Sequence, residues 1–508
     1  MNATIHRKLA NSKRRIERRL DKSKLAGCHQ PMFTAHNIHY EIAERTHGIV
    51  HGGIGAMHAL ARQVGLIDAI DEGLQLLKIH LPYHESDHVL NIAYNPLCDG
   101  SHFEDIEVRR NDVNFLDAIG ARRIPDPTTA GDFCRRFTPA DIEALQDVFN
   151  QVRQGVWQQQ PHSFFDLATI DMDGSLVETT GQCKQGMNIA YDGTWGYHPL
   201  LLSLANTHEV LWLVNRSGNR PSHEGAAAAV DRVVGVCRAA GFRNVLLRGD
   251  TDFSQSEHLD RWTAAGNYFV FGFDATPNLK ASAEDLPPAA WQPLPRLPTY
   301  LVQTQPRQRP DNVKEAIVTE REFENQRLRS EDVAEFVYRP AACRRAYRMV
   351  VVRKNLSVEK GEKLLYDDVR YFFYITNIVI LEPKQIVWVA NNRCNQENLL
   401  AQLHGGLAAL KAPVNTLESN WAYMVMTALA WNLKAWWALL LPVAPGRWQQ
   451  RHREEQQWVL GLEFKTFVQA FLRLPCQIVR TGRKLVYRLL SWNPYQRIFW
   501  RLVSVLHC

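Results

Sequence analysis

The chain carries no Cys-x-x-Cys pair and no cysteine–histidine grouping at zinc-ligand spacing, although it has nine cysteines. They are scattered (28, 98, 134, 183, 237, 343, 394, 476 and 508), which excludes a structural zinc knuckle and points to inert thiols in a reducing compartment. The N-terminus lacks an apolar signal core, so nothing suggests secretion. A long uninterrupted hydrophobic run is missing too. The nearest candidate, Trp421 to Leu441, is interrupted by Asn432 and Lys434 and stops at Pro442, so it reads as a buried core helix and no membrane span is expected. A strong excess of one charge is also absent: the formal net charge is +6 over 508 residues, so its distribution matters more than its sum. With 45% hydrophobic and 22% charged residues, the composition is that of an ordinary globular protein with room for three or four units.

What charge there is comes in clusters. Residues 1–49 form a basic arm in which Arg7, Lys8, Lys13, Arg14, Arg15, Arg18, Arg19, Lys22 and Lys24 face only Glu17 and Asp21 in the first 25 positions. Such density favours a phosphate partner over a merely solvated face. From 50 to 160 the apolar spacing is helical, with a Thr138-Pro139 start signal and paired arginines at Arg109-Arg110, Arg122-Arg123 and Arg135-Arg136. This region reads as an all-α DNA-binding unit. From 161 to 275 strands and helices alternate, the early strands as hairpins and the later ones joined by helices, which predicts a mixed sheet in an α/β core. A Pro-rich then strand-like block, 276–370, reads as a β-rich insertion. The core resumes over 371–445, and 446–508 reads as a basic helical C-terminal region.

Two apolar runs end in acid. Leu167-Ala-Thr-Ile-Asp171-Met-Asp173-Gly-Ser175 and Asn244-Val-Leu-Leu-Arg248-Gly-Asp250-Thr-Asp252 both look like buried strands delivering carboxylates at their carboxyl ends, where open α/β sheets place ligand sites. Asp after a strand is more often a turn former or helix cap, so either run alone is a weak signal. A third carboxylate is offered by Glu397. In a helix over 390–404, Arg393, Glu397 and His404 would share one face, although Arg393 and Glu397 could equally be a surface ion pair. Hard oxygen ligands without cysteine or a histidine pair select Mg2+ or Mn2+. Two such ions suit in-line phosphoryl displacement, and the basic clusters suit a polyanionic substrate.

Taken in order, these pieces resemble the DDE transposases of bacterial insertion sequences, the RNase H-like cut-and-paste group, and more narrowly the insertion-sequence family numbered thirteen-eighty. The matching stretches are Tyr94-Asn-Pro-Leu-Cys-Asp-Gly-Ser-His-Phe-Glu-Asp105, Arg110-Asn-Asp112, Phe133-Cys-Arg-Arg-Phe137, Asp171-Met-Asp-Gly-Ser175, Gly196-Tyr-His-Pro-Leu200, Arg216-Ser-Gly-Asn219, Arg248-Gly-Asp-Thr-Asp-Phe253, Tyr374-Ile-Thr-Asn377, Arg393 with Glu397, and Asn420-Trp421. The resemblance implies Asp173, Asp250 and Glu397 as catalytic, metal-holding residues, with Asp171 the rival first aspartate and Ser175 in place of the family's Thr. Around the glutamate, Ala390 stands where Tyr is expected and His404 where Lys is expected. It further implies two Mg2+ or Mn2+ ions, and DNA contacts by Arg393, His404, Arg14, Arg15, Arg18, Arg19, Arg109 and Arg110. An aromatic between Asp250 and Glu397, Trp291 or Trp388, would stack a flipped base, although each is more often a packing residue. Terminal inverted repeats and target DNA would be the partners, a homodimer on DNA the assembly, and the nucleoid of the bacterial cytoplasm the location. Two rival readings are a structure-specific nuclease on the same core and a domesticated or inactive DNA-binding protein.

Overall fold

A computed structural model describes residues 3–21, 35, 38–42, 46–80, 82–295, 312–481 and 484–506. Lys22 and Lys24 of the basic arm lie outside the described residues. The arm's helix, α1 (Ala3–Arg19), buries none of its residues. After β1 (Gly48–Ile49) come seven helices: α2 (Gly53–Gln63), α3 (Leu66–Gly73), α4 (Glu85–Leu97), α5 (Asp105–Arg110), α6 (Val113–Ile119), α7 (Pro127–Cys134) and α8 (Pro139–Trp157). Their boundaries follow local chemistry. Gly65, at φ 74°, separates α2 from α3 because a left-handed residue cannot continue the turn. Thr138 opens α8 with a capping box: its N–H donates to Asp141 Oδ2 (2.9 Å), and the Asp141 N–H to Thr138 Oγ1 (3.4 Å).

The core sheet begins with β2 (Leu167–Gly174), followed by a small three-stranded outgrowth, β3 (Val177–Glu178), β4 (Asn188–Ile189) and β5 (Trp195–Tyr197). Next come β6 (Leu200–Leu204), β7 (Glu209–Val214), α9 (Ala226–Ala240), β8 (Asn244–Gly249), α10 (Ser256–Ala264) and β9 (Asn267–Phe273). β2, β6 and β7 pair antiparallel, while β8 lies parallel to β2 and β9 parallel to β8. The mixed sheet expected from hairpins first and helical crossovers later is present.

The β-rich block is built differently from the expected insertion. After α11 (Pro277–Glu284), β10 (Gln292–Pro293) and α12 (Val313–Glu320), three long strands, β11 (Glu324–Tyr338), β12 (Tyr347–Lys360) and β13 (Lys363–Thr376), continue the same sheet. β13 pairs with β9 through Phe373–Thr376, so nine strands run in the order β10-β11-β12-β13-β9-β8-β2-β6-β7. The boundary placed at 370/371 falls inside β13. A strand alternates its faces without regard to which unit it serves, so its pattern could not mark the change.

Helices α13 (Pro383–Asn391), α14 (Cys394–Ala401) and α15 (Leu417–Leu439) return the chain to the core, and α16 (Gln449–Gly461), α17 (Phe464–Phe467), β14 (Cys476–Thr481), β15 (Lys484–Leu489) and α18 (Gln496–Val503) complete it. The C-terminal region is therefore not wholly helical. Its β14–β15 hairpin pairs with β1, and the Tyr487 hydroxyl donates to the Ala118 carbonyl of α6, fastening the end of the chain to its beginning. One apolar core runs from Ile49 to Leu506.

α15 is the axle of that core, buried from Ser419 to Leu439 and packed against α4, α7, α8, α16 and β7. The residues that interrupt its apolar run are each satisfied. Asn432 accepts from the Val210 N–H (2.9 Å) and donates to its carbonyl (3.1 Å). Lys434 donates to the Leu460 carbonyl (2.8 Å) and stands 3.8 Å from the Trp431 ring centroid, with burial pulling its amine down to about 7. No helix among the described residues is long and apolar enough to cross a membrane.

α8, α15 and β7 meet at Glu209, which is fully buried. Its carboxylate accepts from Arg153 Nε (2.9 Å), Trp157 Nε1 (2.9 Å), Trp436 Nε1 (2.8 Å) and Thr207 Oγ1 (2.6 Å). Removing one partner of a buried ion pair strands the other charge. Glu209→Ala should therefore cost about 3–5 kcal/mol, read as a lowered thermal midpoint against a surface control such as Glu143→Ala; equal midpoints would remove Glu209 as a hub.

Candidate active site

β2 and β8 are adjacent and parallel, so their carboxyl ends leave the sheet at the same edge. Asp171 is in register with Arg248, and two residues further along each chain stand Asp173 and Asp250. Asp173 is the penultimate residue of β2, and Asp250 caps the short turn after β8, accepting from the Asp252 N–H (3.1 Å). The same alternation puts Asp171 and Asp173 on one face of the strand.

The two aspartates of the 171–173 pair have different fates. Asp171 is buried and grips Arg248 as a fork, with Arg248 Nε to Oδ1 at 2.7 Å and Nη2 to Oδ2 at 2.8 Å. Both of its oxygens are therefore committed. Asp173, one pleat further out, meets Asp250 across a single guanidinium. Arg393 Nη1 lies 2.9 Å from Asp173 Oδ2, and Nη2 lies 3.4 Å from Asp250 Oδ2.

Arg393 reaches this position through a break in the helix expected over 390–404. α13 ends at Asn391, Arg393 caps α14, and a π-turn follows at Gln402–Gly406. Three contacts seat α14 on the sheet: the Arg393 bridge, Ser203 Oγ to Gln396 Oε1, and His404 Nε2 to Ser175 Oγ at 2.8 Å. Burial holds the His404 imidazole below its ordinary value, so it meets Ser175 neutral at pH 7. Glu397 is not gathered with the aspartates. It faces solvent on the first turn of α14, and Arg393 turns to the aspartates in preference to it. Among the described residues no three His, Cys, Asp or Glu side chains stand together as a metal cluster.

The donor set nevertheless suits a hard cation. Magnesium is commonly held by one or two carboxylates with substrate phosphates and water completing its shell. A guanidinium already occupies the place of positive charge between Asp173 and Asp250. The electrostatics agree: burial pushes Asp173 up to about 6, Arg393 pulls against that rise, and Asp250 adds to it. Burial also raises Asp250, against Arg393. Burial pulls Arg393 down, but the two aspartates outweigh it and hold the guanidinium above its ordinary value.

The expected DNA-contacting residues are dispersed. Arg14, Arg15, Arg18 and Arg19 are exposed on α1, where they line one shallow depression with Asn11. Arg110 is exposed beside Glu107 (2.9 Å). Arg109 is not available to a ligand: it is buried and donates to Asn95 Oδ1, because it falls on the inward face of α5. Trp291 carries the Arg353 guanidinium 4.2 Å from its ring centroid, and Trp388 is half-buried, its Nε1 3.4 Å from the Pro295 carbonyl. Tyr191 and Trp195 of the β4–β5 hairpin are open instead, 90% and 53% exposed. Only the Asp-Gly-Thr turn at 192–194 marked that hairpin in the sequence.

The raised Asp173 carboxyl has a consequence for stability. In the metal-free protein the folded state holds this proton to higher pH than the unfolded chain, so its stabilising contribution is present below about pH 4 and lost as pH rises through about 6. The unfolding free energy of the metal-free protein should rise by about 1–1.5 kcal/mol on moving from pH 7.5 to 5 relative to Asp173→Asn, read from thermal midpoints at the two pH values. Parallel pH profiles in protein and variant would show that Asp173 bears no such penalty.

No curated protein matches the chain. One solved structure similar to it is titled "Cryo-EM structure of piggyBac transposase synaptic complex with hairpin DNA", at 11% identity and a TM-score of 0.33, covering 83% of this chain and 88% of that one. A likeness that loose carries no argument. The family model described as "Transposase DDE domain group 1" matches residues 49–508. That match takes in the helices, the mixed sheet and the aspartate edge together, and the chain belongs to this family of transposase DDE domains.

Proposed function

We propose that this protein is a cut-and-paste DNA transposase that binds the terminal inverted repeats of its element, cleaves DNA at the element's ends and joins the freed 3′-hydroxyls to target DNA. The observation that carries this reading is the convergence of Asp173 and Asp250 on one guanidinium at the shared edge of β2 and β8. The hairpins-then-crossovers order of β2, β6, β7, β8 and β9 supports an RNase H-like core.

In this reading Asp173 and Asp250 hold divalent cations, two Mg2+ or Mn2+ ions, which when bound supply Lewis-acid activation of the nucleophile and stabilise the leaving oxygen. The choice of Asp173 over Asp171 follows from the fork that commits both Asp171 oxygens to Arg248. Arg393 neutralises the carboxylates in the free protein and turns its planar fork to a DNA phosphate in the complex. The family resemblance assigns Glu397, one turn along from Arg393 and open to solvent on α14, as the third carboxylate. Water attacks the phosphodiester at the element's end, the bond from phosphorus to the 3′-oxygen breaks, and the 3′-hydroxyl leaves. That hydroxyl then attacks the opposite strand to form a hairpin and, after the hairpin opens, attacks the target phosphodiester. His404 and Ser175 keep α14 against the strand end.

The exposed guanidiniums of α1, with Arg110, Arg122, Arg123, Arg135 and Arg136, supply phosphate contacts to the end sequences. Cleavage of two ends together calls for a homodimer on DNA.

Asp250→Asn should abolish cleavage of an inverted-repeat duplex in Mg2+ while leaving its binding nearly unchanged; a variant that cleaves normally refutes the assignment. Strand-transfer assays separate this reading from a structure-specific nuclease, which would cut yet yield no joined product at any metal concentration. Binding without cleavage by the parent protein would instead identify an inactive DNA-binding relative.

A further inference from the structure

Beneath the Asp173–Arg393–Asp250 layer lies a second, buried layer made by Arg248. Each nitrogen of its guanidinium is engaged: Nε and Nη2 donate to the two oxygens of Asp171, and Nη1 donates to the Val389 carbonyl at 2.9 Å. That carbonyl sits at the carboxyl end of α13 and needs an outside donor. The Asn392 N–H goes to Trp388 and the Arg393 N–H to Ala390, so the helix leaves Val389 without a partner of its own. Arg248 supplies it.

One side chain thus ties together the three pieces of chain that form the site. It stands on β8 two residues before Asp250, grips β2 two residues before Asp173, and caps α13 four residues before Arg393. We propose that Arg248 is a positioning residue for the metal-binding edge: through Asp171 and Val389 it sets the spacing of Asp173 and Asp250 and the place from which Arg393 reaches them. This deepens the transposase reading and rests on it.

The chemistry requires arginine. A lysine ammonium is a point donor and cannot present a bidentate edge to Asp171 and a third N–H to Val389 in one plane. A purely structural ion pair makes a different demand, because a buried pair replaced by apolar side chains of similar volume commonly keeps or gains stability.

Two full-length variants, Arg248→Lys and the double Asp171→Leu/Arg248→Met, distinguish these roles. Mn2+ binding to the DNA-free protein is measured by calorimetry or electron paramagnetic resonance, alongside thermal midpoints and binding to an inverted-repeat duplex. Groups that orient metal ligands typically contribute 10–100-fold in metal affinity, so the half-saturating Mn2+ concentration should rise by about that factor in both variants. Duplex binding should stay close to that of the parent, and the double variant should stay folded, with its melting lowered only by the loss of the Val389 carbonyl's donor. Should Arg248→Lys fail to fold, the double variant decides. Parent-like Mn2+ affinity in a folded variant overturns the proposal and leaves Arg248 a packing residue. Asp173→Asn runs in the same titration: if it too binds Mn2+ like the parent, the fault lies in the assignment of the aspartates to the metal.

Discussion

Two neighbouring parallel strands that end flush, with a buried arginine on one gripping an aspartate on the other, set the terms for the rest of this structure. Parallel register is what makes the ends of β2 and β8 coincide, and the Arg248–Asp171 fork ties that register one pleat below the edge. A slip of one residue would turn Asp173 to the opposite face and strand the Arg248 charge inside the sheet. The edge carboxylates are therefore held by a penalty paid nowhere near the solvent.

That edge works only because the sheet is held from behind. The antiparallel side of the sheet, β6 and β7, is clamped to α8 and α15 by the Glu209 cluster and by Asn432, which completes the hydrogen bonding of Val210. From the other side α14 is pinned by Ser203–Gln396 and His404–Ser175. Buried polar groups bonded across the fold specify one arrangement where apolar packing alone would tolerate several. The free-protein site is then a charge-balanced one: two half-buried carboxylates that resist ionisation, and one guanidinium that makes ionisation tolerable.

Local patterns carried much of this. The apolar runs ending at Asp173 and Asp250, the Thr138 cap and the polar breaks in α15 were legible because each is a property of a few adjacent residues. The break between α13 and α14 was not, since residues 390–404 contain no proline or other strong breaker before Gly405, and the turn at Asn392–Arg393 is made by what Arg393 reaches across the fold. Arg109 and Arg110 show the same limit: adjacent and chemically identical, they differ only in which face of α5 meets the core. Trp291 and Trp388 could each be read in the sequence as a stacking or a packing residue, and in the fold Trp291 carries Arg353 while Trp388 reaches the Pro295 carbonyl.

The sequence by itself determined which residue types stand at the ends of β2 and β8, since strand periodicity followed by acid is chemistry that adjacent positions can encode, whereas Glu397 did not join them. Which aspartate faces outward was decided only by the tertiary structure. Asp171 and Asp173 share a face of one strand and differ by a single pleat, and what separates them is Arg248, 77 positions from Asp171 in the chain, arriving at one and not the other. A residue's neighbours along the chain define what it can do, and its neighbours across the sheet define which of those things it is left free to do.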